Sequence, residues 1–240
     1  MFASWVVLRS DARDADPWTR GQTDPVPTLP DVAASFIQAH TRLARPPLAP
    51  EVQLHVADDV VALWEAMESE NGGAGQAPPF WAAAWPGGQA LARYLLDTPE
   101  VVAGRRVLDL GAGSGLVAVA AVLAGATSVL ASDVDPYSHT AIGVNAQLNG
   151  VSGIEVVGDV LAGDPLDVDV VVAGDVCYDR DMTARVLPFL FTAWTRGATV
   201  LLGDPGRKYL PREGLVPVGE YDVPDVDEAR PRRTTVWRMP

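Results

Sequence analysis

The chain has 240 residues with 18 Lys plus Arg against 31 Asp plus Glu, a formal charge of −13. That acidity argues against nucleic-acid binding, whose affinity rests on a basic face that releases counterions from phosphate. With 48% hydrophobic and 20% charged residues, the length fits one large α/β domain with at most an appendage. The lone cysteine, Cys177, rules out an intramolecular disulfide and a cysteine-cluster metal site.

Residues 9–30 mix charges with Pro17, Pro25, Pro27 and Pro30 and keep no period, so 1–30 reads as a loose leader. The apolar start, Phe2–Leu8, runs straight into Arg9, Asp11 and Arg13, the wrong flank for a secretory signal. No apolar run reaches the roughly 18 residues a membrane-spanning helix needs, and the expected location is cytoplasmic. From Asp31, a candidate N-cap, the spacing of Val32, Phe36, Ile37 and His40 predicts a helix to about Ala44. Val52, Leu54 and Val56 alternate as a short strand, Asp58–Glu68 reads as a second helix, and Asn71–Pro79 as a loop. Residues 31–80 form an N-terminal extension on the substrate side, and 81–240 the main domain.

The pattern then becomes regular. Pro86 opens a helix that ends before Pro99, Arg106–Leu110 is a buried strand, and Leu116–Ala124 is a helix of small residues. Ser128–Ser132 is a strand, Pro136–Leu148 a helix, Ile154–Val157 and Val168–Ala173 are strands. Asp181–Arg196 is a helix that Pro188 is expected to kink, followed by a strand at Ala198–Gly203. Apolar strands alternating with helices imply a parallel sheet covered on both faces. Leu215–Val223 and Thr234–Met239 have no helix between them and read as an antiparallel hairpin at the sheet edge.

The chemistry concentrates at the ends of these strands. The turn after the first strand of the regular region is Asp109-Leu-Gly111-Ala-Gly113-Ser-Gly115-Leu116. A dinucleotide fingerprint needs glycine where Leu116 stands, and a phosphate loop would end in Gly-Lys-Ser/Thr, so a pyrophosphate ligand is disfavoured. S-adenosylmethionine fits better, because class I methyltransferases bind it with such a turn and an acid ending the next strand. Asp133 follows Ser132, where its carboxylate can accept both ribose hydroxyls; Asp159 ends the third strand and can accept from the adenine amino group. Asp109 beside the turn suits the methionine ammonium, directly or through water. Each acid alone also reads as a helix cap or a solvated turn. The histidines, His40, His55 and His139, are too widely spaced for a zinc motif, and no metal site is expected.

One narrower resemblance follows from particular segments. Pro79-Phe-Trp81-Ala-Ala-Ala-Trp85-Pro-Gly-Gly-Gln89, Val107–Gly115, Ser132–Pro136, Gly174-Asp-Val-Cys-Tyr178-Asp179, Gly203-Asp-Pro-Gly-Arg207 and Thr235-Val-Trp237 resemble the lysine methyltransferases that modify the β subunit of electron transfer flavoprotein, and their bacterial counterparts. The resemblance spans residue 33 to the end and implies a class I, Rossmann-like fold: a mostly parallel seven-stranded sheet with helices on both faces, an edge hairpin and an N-terminal helical extension. It implies S-adenosyl-L-methionine as cofactor and a protein lysine as acceptor. Asp175-Val-Cys-Tyr178 matches the Asp-x-x-Tyr motif of the wider family of protein lysine methyltransferases, so Asp175 would contact the acceptor amine and Tyr178 would wall the transfer site. Trp85 would cover the cofactor and offer an aromatic face to a cation, worth about 0.5–2 kcal/mol; Trp81 could share that role or cap the sheet. Cys177 reads as a small buried residue. A ribosomal-protein lysine, a small amine, or a catalytically silent cofactor-fold module are the alternatives. Eight acids between Glu155 and Asp181 face only Arg180, which would let carboxylates at the mouth steer a cationic acceptor or form a solvated rim.

Overall fold

A computed structural model of the chain describes residues 31–70, 77–163, 166–224 and 231–240. The expected leader, 1–30, lies outside the described residues, as do 71–76 of the expected loop. Helix α1 (Asp31–His40) stops four residues earlier than its spacing predicts, because the next residues form β1 (Arg42–Ala44), which pairs antiparallel with β2 (Leu54–Val56). The Thr41 hydroxyl donates to the Ile37 carbonyl at 2.5 Å and closes the helix end. A three-residue strand is too short to show its own period, so the helical spacing carries through it in the sequence. Helix α2 (Val60–Glu70) is capped by Asp59, whose carboxylate accepts from the Val61 and Ala62 amides at 2.8 and 3.0 Å.

After a short 3₁₀ turn at Phe80–Ala82 come α3 (Pro86–Asp97), β3 (Arg106–Leu110), α4 (Leu116–Leu123), β4 (Ser128–Ser132), α5 (Pro136–Leu148), β5 (Ile154–Val157) and β6 (Val170–Gly174). Helix α6 (Arg180–Thr195) runs through Pro188 as one element, and β7 (Thr199–Asp204), β8 (Val216–Val223) and β9 (Arg232–Arg238) complete the chain. The large sheet has the order β5-β4-β3-β6-β7-β9-β8. Its first five strands are parallel, and β9 lies antiparallel to both β7 and β8.

The period of two along each strand divides the core. Val107, Val129, Val170 and Val172 face α3 and α4 with Leu91, Leu95 and Ala118; Leu108, Leu130, Val171 and Leu202 face α6 with Val186, Phe189 and Leu190. Each fully buried Leu or Val is worth about 1.5–3 kcal/mol, which makes these two layers the main stabilising term. Asp109 has the same parity as Val107, so its carboxylate is turned towards the α4 layer.

The N-terminal elements are not a separate layer. Phe36, Ile37, Leu63 and Met67 share a core with Trp81, Ala82 and Ala141 of the main domain. Asn145 of α5, fully buried, joins them to the glycine turn: its amide nitrogen donates to the Ser114 carbonyl at 2.8 Å and its oxygen accepts from the His55 amide at 2.9 Å.

Candidate active site

A cavity of about 240 Å3 opens past the C-terminal ends of β3, β4 and β6, where an open α/β sheet changes the direction of its strand order. Its wall is built by the segment before α3, the glycine turn and the segments after β4, β5, β6 and β7. Among the described residues of the expected substrate-side extension, none of 31–70 lines it, and Ala77, Pro78 and Phe80 reach its wall.

Gly111 and Gly113 are on the wall, with φ of 71° and 52°, and these left-handed values are what let the chain turn there without a side chain. The Gly111 and Ala112 amides both donate to the Ser132 carbonyl, at 2.9 and 3.0 Å, which ties the turn to the end of β4. Asp133 is also on the wall; Oδ2 accepts from the Gly113 amide at 2.8 Å and Oδ1 from the Asp135 amide at 3.0 Å. Asp159 is on the wall too, with Oδ1 accepting from the Leu161 amide at 2.9 Å and Oδ2 paired with Arg185 at 2.5 Å. A carboxylate oxygen has a second lone pair, so both acids keep an acceptor site for a ligand.

Two of the sequence-selected residues lie off the cavity. Gly115, with φ of 77°, fits closely against Ile142 at the start of α4. Asp109 is 1% exposed and sits beneath the turn rather than on the wall, so a ligand ammonium in the cavity meets it only through the turn or an intervening molecule. Its Oδ2 is buried with no hydrogen-bond partner. Burial pushes the carboxyl up to about 7, the Ala118 amide pulls it down, and the Asp133 charge raises it further.

On the opposite wall Asp175 has φ of 60°, unusual for a residue with a side chain. Its Oδ2 accepts from the Gly88 amide at 2.9 Å and its Oδ1 from Nη1 of Arg207. Burial pushes its carboxyl up, while Arg207 and the Gly88 amide oppose that shift. Asp204, at the end of β7, accepts the Gly206 and Arg207 amides through Oδ1 at 2.7 and 2.6 Å and so sets the turn that presents Arg207. Tyr178, Phe80 and Trp85 form a chain of rings along the rim: Phe80 lies 5.6 Å from Tyr178 and 6.0 Å from Trp85, the latter edge-on. The Trp85 indole donates to the Phe80 carbonyl at 2.7 Å. Burial raises the Tyr178 hydroxyl, as do the charges of Asp179 and Asp133.

The structure separates the two tryptophans. Trp81 is fully buried and stacks on Tyr137 at 6.2 Å, whereas Trp85 is 36% exposed on the cavity wall. Cys177 is 1% exposed, and its burial raises the thiol to about 11. The acid-rich stretch is also more divided than its sequence implies. Asp167 and Asp169 pair with Arg106 at the start of β3, the end of the sheet opposite the cavity, and Asp179 caps α6 through Met182. Of its described acids, only Asp159 and Asp175 line the cavity, and both have an arginine partner. Among the described residues, the stretch gives the cavity these two arginine-paired carboxylates, with Asp179 and Asp181 on the adjoining surface beside Tyr178 and Met182.

Three site residues were not assigned roles from sequence. Phe80 and Arg207 stood inside motifs, with no signal to distinguish them from their neighbours. Asp135 caps α5 by accepting from the Tyr137 amide at 2.9 Å and lines the cavity. Burial lifts its carboxyl to about 6, the Tyr137 amide opposes this, and Asp133 adds to it. Its place before Pro136 was a visible cap signal.

This fold and site define a class I methyltransferase. Residues 89–176 match the model of the ribosomal protein L11 methyltransferase (PrmA) family. A structure described as a putative RNA methyltransferase from Pyrococcus horikoshii, 20% identical, superposes with a TM-score of 0.51 over 68% of this chain and 88% of that one, and shows the shared fold. Electron transfer flavoprotein beta subunit lysine methyltransferases are nearer in sequence. The mouse protein is 40% identical over 74% of this chain and 71% of its own length, and the zebrafish protein 40% over 80% and 76%. The chain belongs to the electron transfer flavoprotein beta subunit lysine methyltransferase family and is an enzyme of that kind.

Proposed function

We propose that the chain transfers a methyl group from S-adenosylmethionine to a lysine side chain of the electron transfer flavoprotein beta subunit, in the cytoplasm. The observation that carries this reading is that Asp133 and Asp159, on the cofactor side, share one cavity with Asp175 and Tyr178, on the acceptor side. The donor set suits this cofactor. Among the described residues, four carboxylates (Asp133, Asp135, Asp159 and Asp175) line the cavity against Arg207 on the wall and Arg185 on Asp159, and the orphaned Oδ2 of Asp109 lies under the turn, an excess of acid that suits a cationic ligand without phosphates.

Asp133 would accept the ribose hydroxyls, Asp159 the adenine amino group, and Gly111 and Gly113 would let the ligand approach the backbone. Gly115 would start α4 correctly behind them, and Asp109 would serve the ammonium from beneath. Trp85 and Tyr178 would flank the reacting centre with ring faces that favour positive charge. When bound, the cofactor supplies an electrophilic methyl group on a sulfonium. What the protein contributes is alignment and exclusion of water. A free lysine has a pKa near 10.4 and attacks only as the neutral amine, so the site must favour that form; a neighbouring positive charge and desolvation both do so. Asp175 retains one acceptor lone pair on each oxygen and would orient the amine through one N–H.

The match to the ribosomal protein L11 methyltransferase family covers 89–176, mostly cofactor-side sequence, and gives no support to a ribosomal acceptor. The test is incubation of the enzyme with labelled cofactor and, in parallel reactions, the flavoprotein beta subunit, the ribosomal proteins and the small-molecule fraction of its own source. Label on a lysine of that subunit is expected; label only on a ribosomal protein or a small amine would overturn the reading.

A further inference from the structure

The Asp175–Arg207 pair raises a question of charge. A carboxylate left alone beside an incoming lysine would stabilise the ammonium, the form that cannot attack. We infer that Arg207 is a positioning residue for methyl transfer: by holding Oδ1 of Asp175 it lets that carboxylate orient the acceptor amine without drawing the amine into its charged form. This inference rests on the assignment of Asp175 to the acceptor side.

The geometry is built for such a role. The Arg207 side chain is 20% exposed and lines the cavity, while those of Asp175 and Asp204 are 11% and 2% exposed. The arginine is placed by its own loop: Asp204 fixes the turn through the Gly206 and Arg207 amides, and its second oxygen, without a hydrogen-bond partner, lies 3.7 Å from the guanidinium. The carboxylate is fixed independently, by the Gly88 amide at the start of α3 and by a backbone in which the Asp175 amide donates to the Gly203 carbonyl at 2.9 Å. Among the described residues, the charged and titratable groups around this pair are Asp204 from the end of β7 and Cys177 from the loop after β6, then Tyr178, Asp133, Asp135 and Asp159 farther round the cavity; Arg212 reaches the same turn at the Gly206 carbonyl, 3.2 Å away, and Arg185 acts on Tyr178 and Asp159. Among the described residues, Arg207 is the cation that pairs with Asp175 and offsets its charge.

In the transfer the amine lone pair forms the new N–C bond as the C–S bond breaks and leaves its electrons on sulfur; the resulting alkylammonium then loses a proton to water. The amine must be neutral at the outset. A guanidinium held on Asp175 disfavours the starting ammonium, and removal of it exposes the amine to the full carboxylate charge.

The test is the pH dependence of kcat at saturating cofactor and saturating flavoprotein beta subunit, which reports ionisations in the enzyme–substrate complex. The wild-type acid limb should lie well below the free-lysine value of about 10.4. Arg207→Gln should move that limb up by roughly one unit or more, slowing turnover about tenfold or more at pH 7.5 while recovering it at high pH. Arg207→Lys, which keeps the charge, should restore the wild-type limb. A uniform loss in Arg207→Gln with the limb unmoved would assign Arg207 a merely structural role and overturn the inference, as would an equal shift in Arg207→Lys. A wild-type limb near 10.4 would overturn it without any variant, so the inference does not depend on the variants folding. Asp175→Asn separates this inference from the reading beneath it. Undiminished turnover there would remove Asp175 from the acceptor side, whereas impaired turnover with an unmoved Arg207→Gln limb defeats only the role of Arg207.

Discussion

A methyl group on Gly87 would stand 2.1 Å from the Gly203 carbonyl oxygen, and one on Gly203 would meet the Gly87 carbonyl at the same 2.1 Å. The start of α3 therefore lies backbone against backbone on the end of β7, which joins the Trp-Pro-Gly-Gly-Gln and Gly-Asp-Pro-Gly-Arg segments into one structure. Gly174 takes part as well, since a Cβ there would be 2.9 Å from the Gly88 amide nitrogen. This close approach delivers the Gly88 amide to Asp175.

Gly87→Ala and Gly88→Ala should consequently differ sharply, though they are neighbours in one helix. Gly87→Ala forces α3 off the sheet and should cost about 3 kcal/mol, the upper range for overpacking. A Cβ on Gly88 has nothing nearer than 3.9 Å and leaves the amide to Asp175 in place, so that change should be neutral or stabilise by about 0.4–1 kcal/mol. Urea denaturation of the two variants checks this; equal stabilities would contradict the packing described.

Asp133→Asn should weaken binding of S-adenosylhomocysteine in calorimetry by about tenfold or more, the loss of one or two charge-assisted hydrogen bonds. Asn supplies only one acceptor oxygen, so one of the Gly113 and Asp135 amides loses its partner and a modest fall in melting temperature should accompany the weaker binding. An unchanged dissociation constant would remove Asp133 from the cofactor site.

The parallel strands and the residues at their ends were legible because each signal is local. Arg106–Leu110, Ser128–Ser132 and Ile154–Val157 are apolar runs of strand length, and Pro136 and Pro86 mark helix starts. Gly111, Gly113, Asp133, Asp159, Asp175 and Tyr178 follow strands directly, so the topology alone brings them to one cavity. What sequence did not show depends on contacts between distant segments. The carboxylate of Asp175 is held by residues 87 positions upstream and 32 downstream. Trp81 and Trp85, four residues apart, part company because Pro86 begins α3 at the cavity while the preceding 3₁₀ turn drives Trp81 into the core. The place of Asp109 was visible in strand parity, yet its distance from the ligand depends on how α4 covers it.

Asp109 also makes a signed prediction about pH. Its carboxyl titrates near 3.8 when unfolded and at about 7 when folded, so between these values the native state binds the extra proton. Stability must then fall as pH rises from about 4 to about 7, with the full cost present above 7. Asp109→Asn removes this cost, and its advantage over wild type should grow through that window to on the order of 2–4 kcal/mol. The raised carboxyl of Asp135 adds a slope of the same sign but is common to both proteins. Chemical denaturation at pH 4.5, 6 and 8 reads the difference directly, and a constant offset across the three would mean that Asp109 is not a buried acid.

Trp81 and Trp85 should separate stability from binding. Trp81→Ala empties a fully buried site stacked on Tyr137 and shared with Phe36, Ile37 and Met67, and should cost about 3–5 kcal/mol. Trp85 is 36% exposed, contributes one hydrogen bond to the Phe80 carbonyl and lines the cavity, so Trp85→Ala should cost only about 1 kcal/mol in stability. Its loss should appear in cofactor binding instead. The ring face attracts a sulfonium more than a neutral thioether, so affinity for S-adenosylmethionine should fall further than affinity for S-adenosylhomocysteine. Calorimetry with both ligands on the Trp85 variant checks this. Parallel losses for the two would show that Trp85 contributes contact area but no attraction for the cation.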